Sequence, residues 1–286
     1  MTRRNRRTIK NINLEQKEIV SKNNPQNYPH VKFISECLDN TDLYKNFKRN
    51  KDYRKILEHV SYKLSIEYIT CLKQEFSSYL SNIDWESIKR NDMFGNPITY
   101  DYRIFLQDIV KLESYIFSPT IFRYVHTGLR ILKYIQEKNL TNVKIIEIGG
   151  GYGGQLYIIN ILTKLFDLTI KEWTIVDLDI ITKHQDKYLR DLNVKNFSTI
   201  TYNDVRDRRT SIENYDLLVS SYGLSELNEE IKNLYIELIA KKCDNFYLIW
   251  NSKTIHDFFT GENFSHEIEK PLTGPFNKIV FNNKLY

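Results

Sequence analysis

The chain has 286 residues, 41% hydrophobic and 27% charged, which fits one large or two small globular units and needs no disulfide staples. No run of 18 apolar residues occurs, which excludes an apolar membrane-spanning helix. The net charge of +5 is the contribution of Arg3, Arg4, Arg6, Arg7 and Lys10, and without them 36 basic residues face 36 acidic ones. A broad phosphate-binding face is therefore not expected on the body of the protein.

Residues 1–30 have no apolar period and are read as a basic, disordered tail; no apolar stretch follows the arginines, so they are not a secretory signal. Cys37, Cys71 and Cys243 are odd in number and lack metal-ligand spacing, which predicts reduced thiols in a cytoplasmic protein. Residues 31–140 read as a helical lid, acceptor-binding or oligomerisation domain, with a homodimer as one reading. In "DYRKILEHVSYKLSIEYITCLKQEFSSYL" the residues Ile56, Val60, Leu64, Ile66, Ile69, Leu72 and Phe76 fall at helical spacing. "NDMFGNP" (91–97) is a turn-rich break. "SPTIFRYVHTGLRILKYIQEKNL" predicts a helix with Ser118 as N-cap and Pro119 in its first turn.

From residue 141 the rhythm changes. Strands are predicted at 143–149, 173–178, 197–202, 215–222 and 245–252, with helices at 155–166, 179–192 and 228–243 between them. Such alternation implies an α/β domain, a mostly parallel sheet covered on both faces. "NKIVFNNKLY" (277–286) predicts a closing antiparallel hairpin about "NN".

Five of the ten glycines lie in "EIGGGYGG", between the first strand and its helix. A glycine loop there lets the backbone turn sharply and a ligand approach closely. Gly149, Gly151 and Gly154 satisfy G-x-G-x-x-G, which alone selects no particular nucleotide. Three acids narrow the choice. Glu147 stands in an apolar strand, where a carboxylate needs a donor such as a cationic amine. Asp177 ends the second strand, at the place of a ribose-binding acid. Asp204 follows the third strand, within reach of an adenine amine.

These residues resemble those of the class I S-adenosylmethionine-dependent methyltransferases, with "EIGGGYGG" and "IVDLD" in the corresponding places. The resemblance implies a Rossmann-like sheet ending in an antiparallel hairpin, preceded by a helical N-terminal domain. It implies S-adenosylmethionine held by Glu147, Gly149, Gly151, Tyr152 and Gly153, with Asp177 and Leu178 at the ribose, Asp204 at the adenine and Ser220 close by. A narrower likeness runs over about residues 91–286. "GNP", "SPTIFRY", "EIGGGYGGQL", "VDLD", "SSYGLSEL", "YLIWNS" and "GPFNKIVF" are similar in order to the sugar O-methyltransferase family. That family implies methylation of a hydroxyl on a nucleotide-linked sugar or glycan. "SSYGLSEL" departs from the more polar pattern expected there and carries Leu227 where a methionine is expected.

Methyl transfer to oxygen needs a base beyond a strand's C-terminal edge. Glu226, after the fourth strand, is the first candidate and His256, after the fifth, the second. His126 and His184 fall on predicted helices and read as structural. Mg²⁺ is an option through Asp179, Asp204, Glu226 or Asp257, but their spacing signals no site, so no metal ligand is assigned. Other readings stay open: a nucleic-acid methyltransferase tethered by the tail, an NAD-dependent oxidoreductase, and an inactive methyltransferase fold acting as a partner subunit. The first lacks "[DN]PP[YF]" after the fourth strand, and Glu147 argues against the second.

Overall fold

A computed structural model describes residues 28–261 and 264–282. The expected tail therefore lies outside the described residues, except that residues 29 and 30 belong to helix α1 (Pro29–Asp39). Seven strands make the main sheet: β1 (Val143–Ile148), β2 (Ile170–Asp177), β3 (Phe197–Thr201), β4 (Tyr215–Ser221), β5 (Cys243–Trp250), β6 (Phe264–Ile268) and β7 (Lys278–Asn282). Their spatial order is β3-β2-β1-β4-β5-β7-β6. The first five run parallel, and β7 lies antiparallel between β5 and β6. This is a Rossmann-like, mostly parallel sheet closed by an antiparallel hairpin, as the sequence led one to expect. Its order reverses between β1 and β4, the place where such sheets leave a ligand crevice.

The longer or site-forming helices after α1 are α2 (Tyr62–Leu80), α3 (Pro119–Glu137), α4 (Gly154–Leu162), α5 (Asp179–Asp191), α6 (Tyr202–Arg206), α7 (Gly223–Glu226) and α8 (Glu229–Leu238). Because alternate strand residues point to opposite faces, the sheet divides its side chains between two cores. Ile145, Trp173, Ile175, Leu217 and Val219 join residues of α1 to α5 on one face. Ile146, Ile148, Val176, Leu218 and Leu248 join α8 on the other. The N-terminal helices thus share one continuous apolar cluster with the sheet. Within residues 31–140 there is also a two-stranded antiparallel ribbon, Tyr100–Asp101 with Ile116–Phe117.

Three expectations need correction. The helix read across residues 52–80 is two pieces, Lys51–Arg54 and α2, because the Ser61 side chain accepts from Leu64 N and starts a new helix. Ser118 does occupy the N-cap position of α3, but its hydroxyl is committed elsewhere. It donates to Asp92 Oδ1 at 2.8 Å while Ser118 N donates to Asp92 Oδ2 at 2.8 Å. Finally, the antiparallel partner of β7 lies upstream in β6. The strand expected after "NN" lies outside the described residues.

Candidate functional site: a glycine loop between two carboxylates

β1 and β2 place two acids at neighbouring strand ends. Glu147 pairs across the sheet with Ile175, and Asp177 is the last residue of β2. Glu147 is 1% exposed and accepts from Trp173 Nε1 at 3.0 Å through Oε2. Burial pushes its carboxyl up to about 7, with the indole bond opposing and the nearby Asp177 adding to the rise. Asp177 is raised to about 6, again by burial. Its carboxylate accepts from Leu178 N at 2.8 Å, from Gln185 Nε2 at 2.9 Å and from the Gly150 amide. A carboxylate offers about four acceptor positions, so about one remains for a ligand.

The loop between these acids needs its glycines for different reasons. Gly149, Gly151 and Gly153 have φ of +78°, +59° and +92°, the left-handed region that side chains disfavour. Gly150 has ordinary φ, but a Cβ there would stand 2.7 Å from Ile175 and 3.2 Å from Glu147 Oε2. At the reversal of strand order the loop meets the turn after β4. A Cβ on Gly149 would lie 3.0 Å from Gly223 Cα, and one on Gly223 would lie 2.7 Å from the Ile148 carbonyl oxygen. Gln185 fastens the loop, its Nε2 donating both to Gly151 O at 2.8 Å and to Asp177.

The remaining predicted residues are placed as follows. Tyr152 is fully buried, and its ring packs edge-on against Phe47, Tyr124 and Tyr188. Lys48 Nζ lies 4.3 Å from the centre of that ring. The side chain is committed to the N-terminal helical layer, so covering a cofactor would fall to other groups. Leu178 is the N-cap of α5 and donates its amide to Asp177. Asp204 closes the first turn of α6: Oδ2 accepts from the Thr201 hydroxyl at 2.6 Å, and Thr201 Oγ1 accepts from Asp204 N at 3.1 Å. Ser220 is a clamp, donating to Ile148 O at 2.8 Å and accepting from Leu224 N at 2.9 Å. It thereby ties β4 to the end of β1.

The two base candidates differ. Glu226 is exposed beyond β4 and accepts from Asn251 Nδ2 at 2.6 Å. His256 has both ring nitrogens engaged: Nδ1 accepts from Phe258 N at 3.1 Å and Nε2 faces Asn233 Oδ1 at 3.0 Å. Both ring nitrogens are thus occupied by protein partners. Tyr222, between Ser221 and Gly223, has φ of +71°. A non-glycine residue held there is strained, and it sits on the crevice.

His184 is buried edge-on to Phe47 at 4.6 Å, and burial lowers its pKa to about 3. The acids Asp179, Asp204, Glu226 and Asp257 form no convergent cluster among the described residues. The group with metal-compatible donors there is Cys71, Glu75 and His126, whose ligand atoms lie within 4.8 Å of one another. Arg130 stands 3.3 Å from Glu75 Oε2 and already supplies positive charge at that place.

Sequence reasoning missed Gln185, Trp173 and Glu58. Glu58 accepts from the Thr120 hydroxyl at 2.8 Å through Oε2, and the Tyr152 hydroxyl also bonds its carboxylate. Burial raises its pKa, opposed chiefly by Lys48. The only sequence signal was a lone acid in the apolar run "KILEHV".

No family model and no curated protein matches the chain. Among solved structures it is similar to PKMT2 from Rickettsia typhi in complex with AdoHcy, at 19% identity and a TM-score of 0.31, over 39% of this chain and 21% of that one. The chain therefore spans about a fifth of that protein. It is also similar to a SAM-dependent methyltransferase from Aquifex aeolicus, at 14% identity and a TM-score of 0.37, over 52% of this chain and 87% of that one. A third is the mitomycin 7-O-methyltransferase MmcR, at 11% identity and a TM-score of 0.40, over 58% and 56% of the two chains. No helix among the described residues is long and apolar enough to cross a membrane.

Proposed function

We propose that the protein is an S-adenosylmethionine-dependent O-methyltransferase whose acceptor is a hydroxyl of a sugar, nucleotide-linked or part of a glycan. The observation that carries this is the pair Glu147 and Asp177. A buried and a half-buried carboxylate flank a left-handed glycine loop, and desolvation raises the pKa of both. A ligand with an ammonium group and a ribose hydroxyl meets both needs, whereas a dinucleotide leaves Glu147 uncompensated. When bound, S-adenosylmethionine supplies a methyl on a cationic sulfur, and transfer leaves the carbon–sulfur electron pair on sulfur while the acceptor oxygen loses its proton.

In this reading Glu147 holds the ammonium, Asp177 accepts a ribose hydroxyl, and the backbone of Gly149, Gly150 and Gly151 lies against the ligand without Cβ interference. Asp204, one turn beyond β3, is at the adenine end. Glu226 takes the acceptor's proton, and Asn251 fixes the direction of its carboxylate. The sugar preference draws on the order of motifs along residues 91–286.

Calorimetric titration with S-adenosylhomocysteine, and in parallel with NAD, tests this. Micromolar binding of the first, lost in Asp177→Ala, is expected. Binding of NAD alone, or of neither, refutes it.

A further inference from the structure

Beside the glycine loop lies a cleft of about 470 Å³, within the range of small-molecule sites. Its lining includes three exposed cations, Lys51, Arg54 and Lys55, and the carboxylate of Glu58, whereas Lys48 is buried and burial lowers its pKa. Lys48 donates to Asn91 O at 2.5 Å, and Lys55 pairs with Asp52 at 2.8 Å. Lys51 and Arg54 are exposed, and among the described residues neither side chain has a hydrogen-bond or ion-pair partner. Two tyrosines also line it, Tyr62 and Tyr100, with ring centroids 4.9 Å apart and a tilt of 43°.

Cleft and loop share a boundary. Leu57 stands 3.1 Å from where a Cβ of Gly151 would be, and the next residue, Glu58, lines the cleft. Glu58 thereby brings a half-buried carboxylate to this boundary, held by the Thr120 and Tyr152 hydroxyls.

We propose that this cleft is the acceptor subsite, and that it takes a sugar joined to a phosphate or diphosphate. Lys51 and Arg54 hold the phosphate oxygens, Arg54 by its two-pronged guanidinium. Tyr62 and Tyr100 pack on a ring, and a sugar hydroxyl donates to Glu58. The assignment rests on the methyl-transfer reading for its purpose. The exposed cations and the aromatic pair stand without it.

The test is calorimetry on the full chain with uridine 5′-diphosphate, inorganic pyrophosphate and uridine, each with and without S-adenosylhomocysteine. Uridine diphosphate is expected to bind more tightly than either fragment. Its affinity is expected to fall at least tenfold in the double variant Lys51→Ala/Arg54→Ala, while that of S-adenosylhomocysteine stays within twofold. Tyr62→Ala is expected to weaken uridine diphosphate but not pyrophosphate. Uridine binding as tightly as its diphosphate, or a diphosphate affinity unmoved by the double variant, overturns the proposal. Diphosphate binding without any S-adenosylhomocysteine binding overturns the methyltransferase reading alone.

Discussion

If Glu147 and Asp177 hold the cofactor as proposed, their raised carboxyls make its binding a proton-releasing event. Glu147 titrates at about 7 and Asp177 at about 6 in the ligand-free protein. At pH 6.5 Glu147 is then about three-quarters protonated and Asp177 about one-quarter, so the pair carries about one proton. An ammonium beside Glu147 and a hydroxyl donor on Asp177 both favour the charged forms, so binding drives the pair toward full ionisation. The sign follows. Protonation competes with the ligand, so affinity rises with pH through the window 5.5–7.5 and flattens above it. If both groups are fully ionised when bound, the gain across that window is up to about a hundredfold. Titrating S-adenosylhomocysteine at pH 6.5 in buffers of different ionisation enthalpy counts the protons directly. About one is expected at pH 6.5 and close to none at pH 8. Glu147→Gln is expected to remove most of the release. No buffer dependence at pH 6.5, with equal affinity at pH 5.5 and 7.5, would refute the assignment of these two acids to the ligand.

Gly223→Ala forces a Cβ to within 2.7 Å of a backbone carbonyl oxygen that cannot turn away. The cost is about 1–3 kcal/mol, a melting temperature lower by several degrees, read by circular dichroism. An unchanged melting temperature would mean that the two loops part freely. Tyr188→Phe removes the hydroxyl that donates to Asn91 O at 2.8 Å or Oδ1 at 2.9 Å and faces the buried Lys48 ammonium at 3.4 Å. Urea unfolding is expected to show a loss of about 1–3 kcal/mol. Once an acceptor is in hand, Glu226→Gln is expected to lower kcat by about 10²–10⁴ while His256→Ala leaves it within a few-fold. The reverse order would exchange their roles.

Of the first five strands, β1, β2, β4 and β5 were legible because each carries a short Ile, Val or Leu run, as parallel strands buried on both faces do, while the edge strand Phe197–Thr201 is half-buried throughout and showed only a β-rich "FSTITY". The glycine loop was legible for a related reason, since few other structures need five glycines in six positions. The break before α2 was not. Ile56, Leu57 and Val60 keep helical spacing, yet they wrap the N-terminal layer onto the loop. Val60 is 5% exposed and Ile56 is 44% exposed. A periodicity count cannot separate a helical stripe from an extended turn with the same spacing. Asn282 misled in another way. Read as a turn residue, it is a cross-link: Oδ1 accepts from Tyr134 OH at 2.6 Å and from Phe246 N at 3.0 Å, while Nδ2 donates to Asp244 O. The other half of the hairpin, β6, has an exposed, polar stretch in "SHEI" and so showed no alternation to detect.

Tyr152 connects these points. A loop residue beside a candidate cofactor suggests a covering role, because sequence shows its neighbours in the chain and hides those 36 to 105 positions away, Tyr188 and Phe47. In the fold the ring is a plug in an aromatic nest around the Lys48 ammonium. Lys48 and Glu58 also line the basic cleft, and Glu58 Oε2 is held by Thr120 of α3. The glycine loop is thus anchored on both sides. Gln185 ties its backbone to Asp177 on the sheet side, and Tyr152 ties it to the cleft wall on the helical side. A loop fixed at both ends has lost most of its conformational entropy before any ligand arrives, so less binding energy goes into ordering it. The same anchoring gives the N-terminal layer a part beyond folding. In the proposed reading it holds the basic cleft in register with the carboxylate pair, the arrangement that in-line transfer between two bound molecules requires.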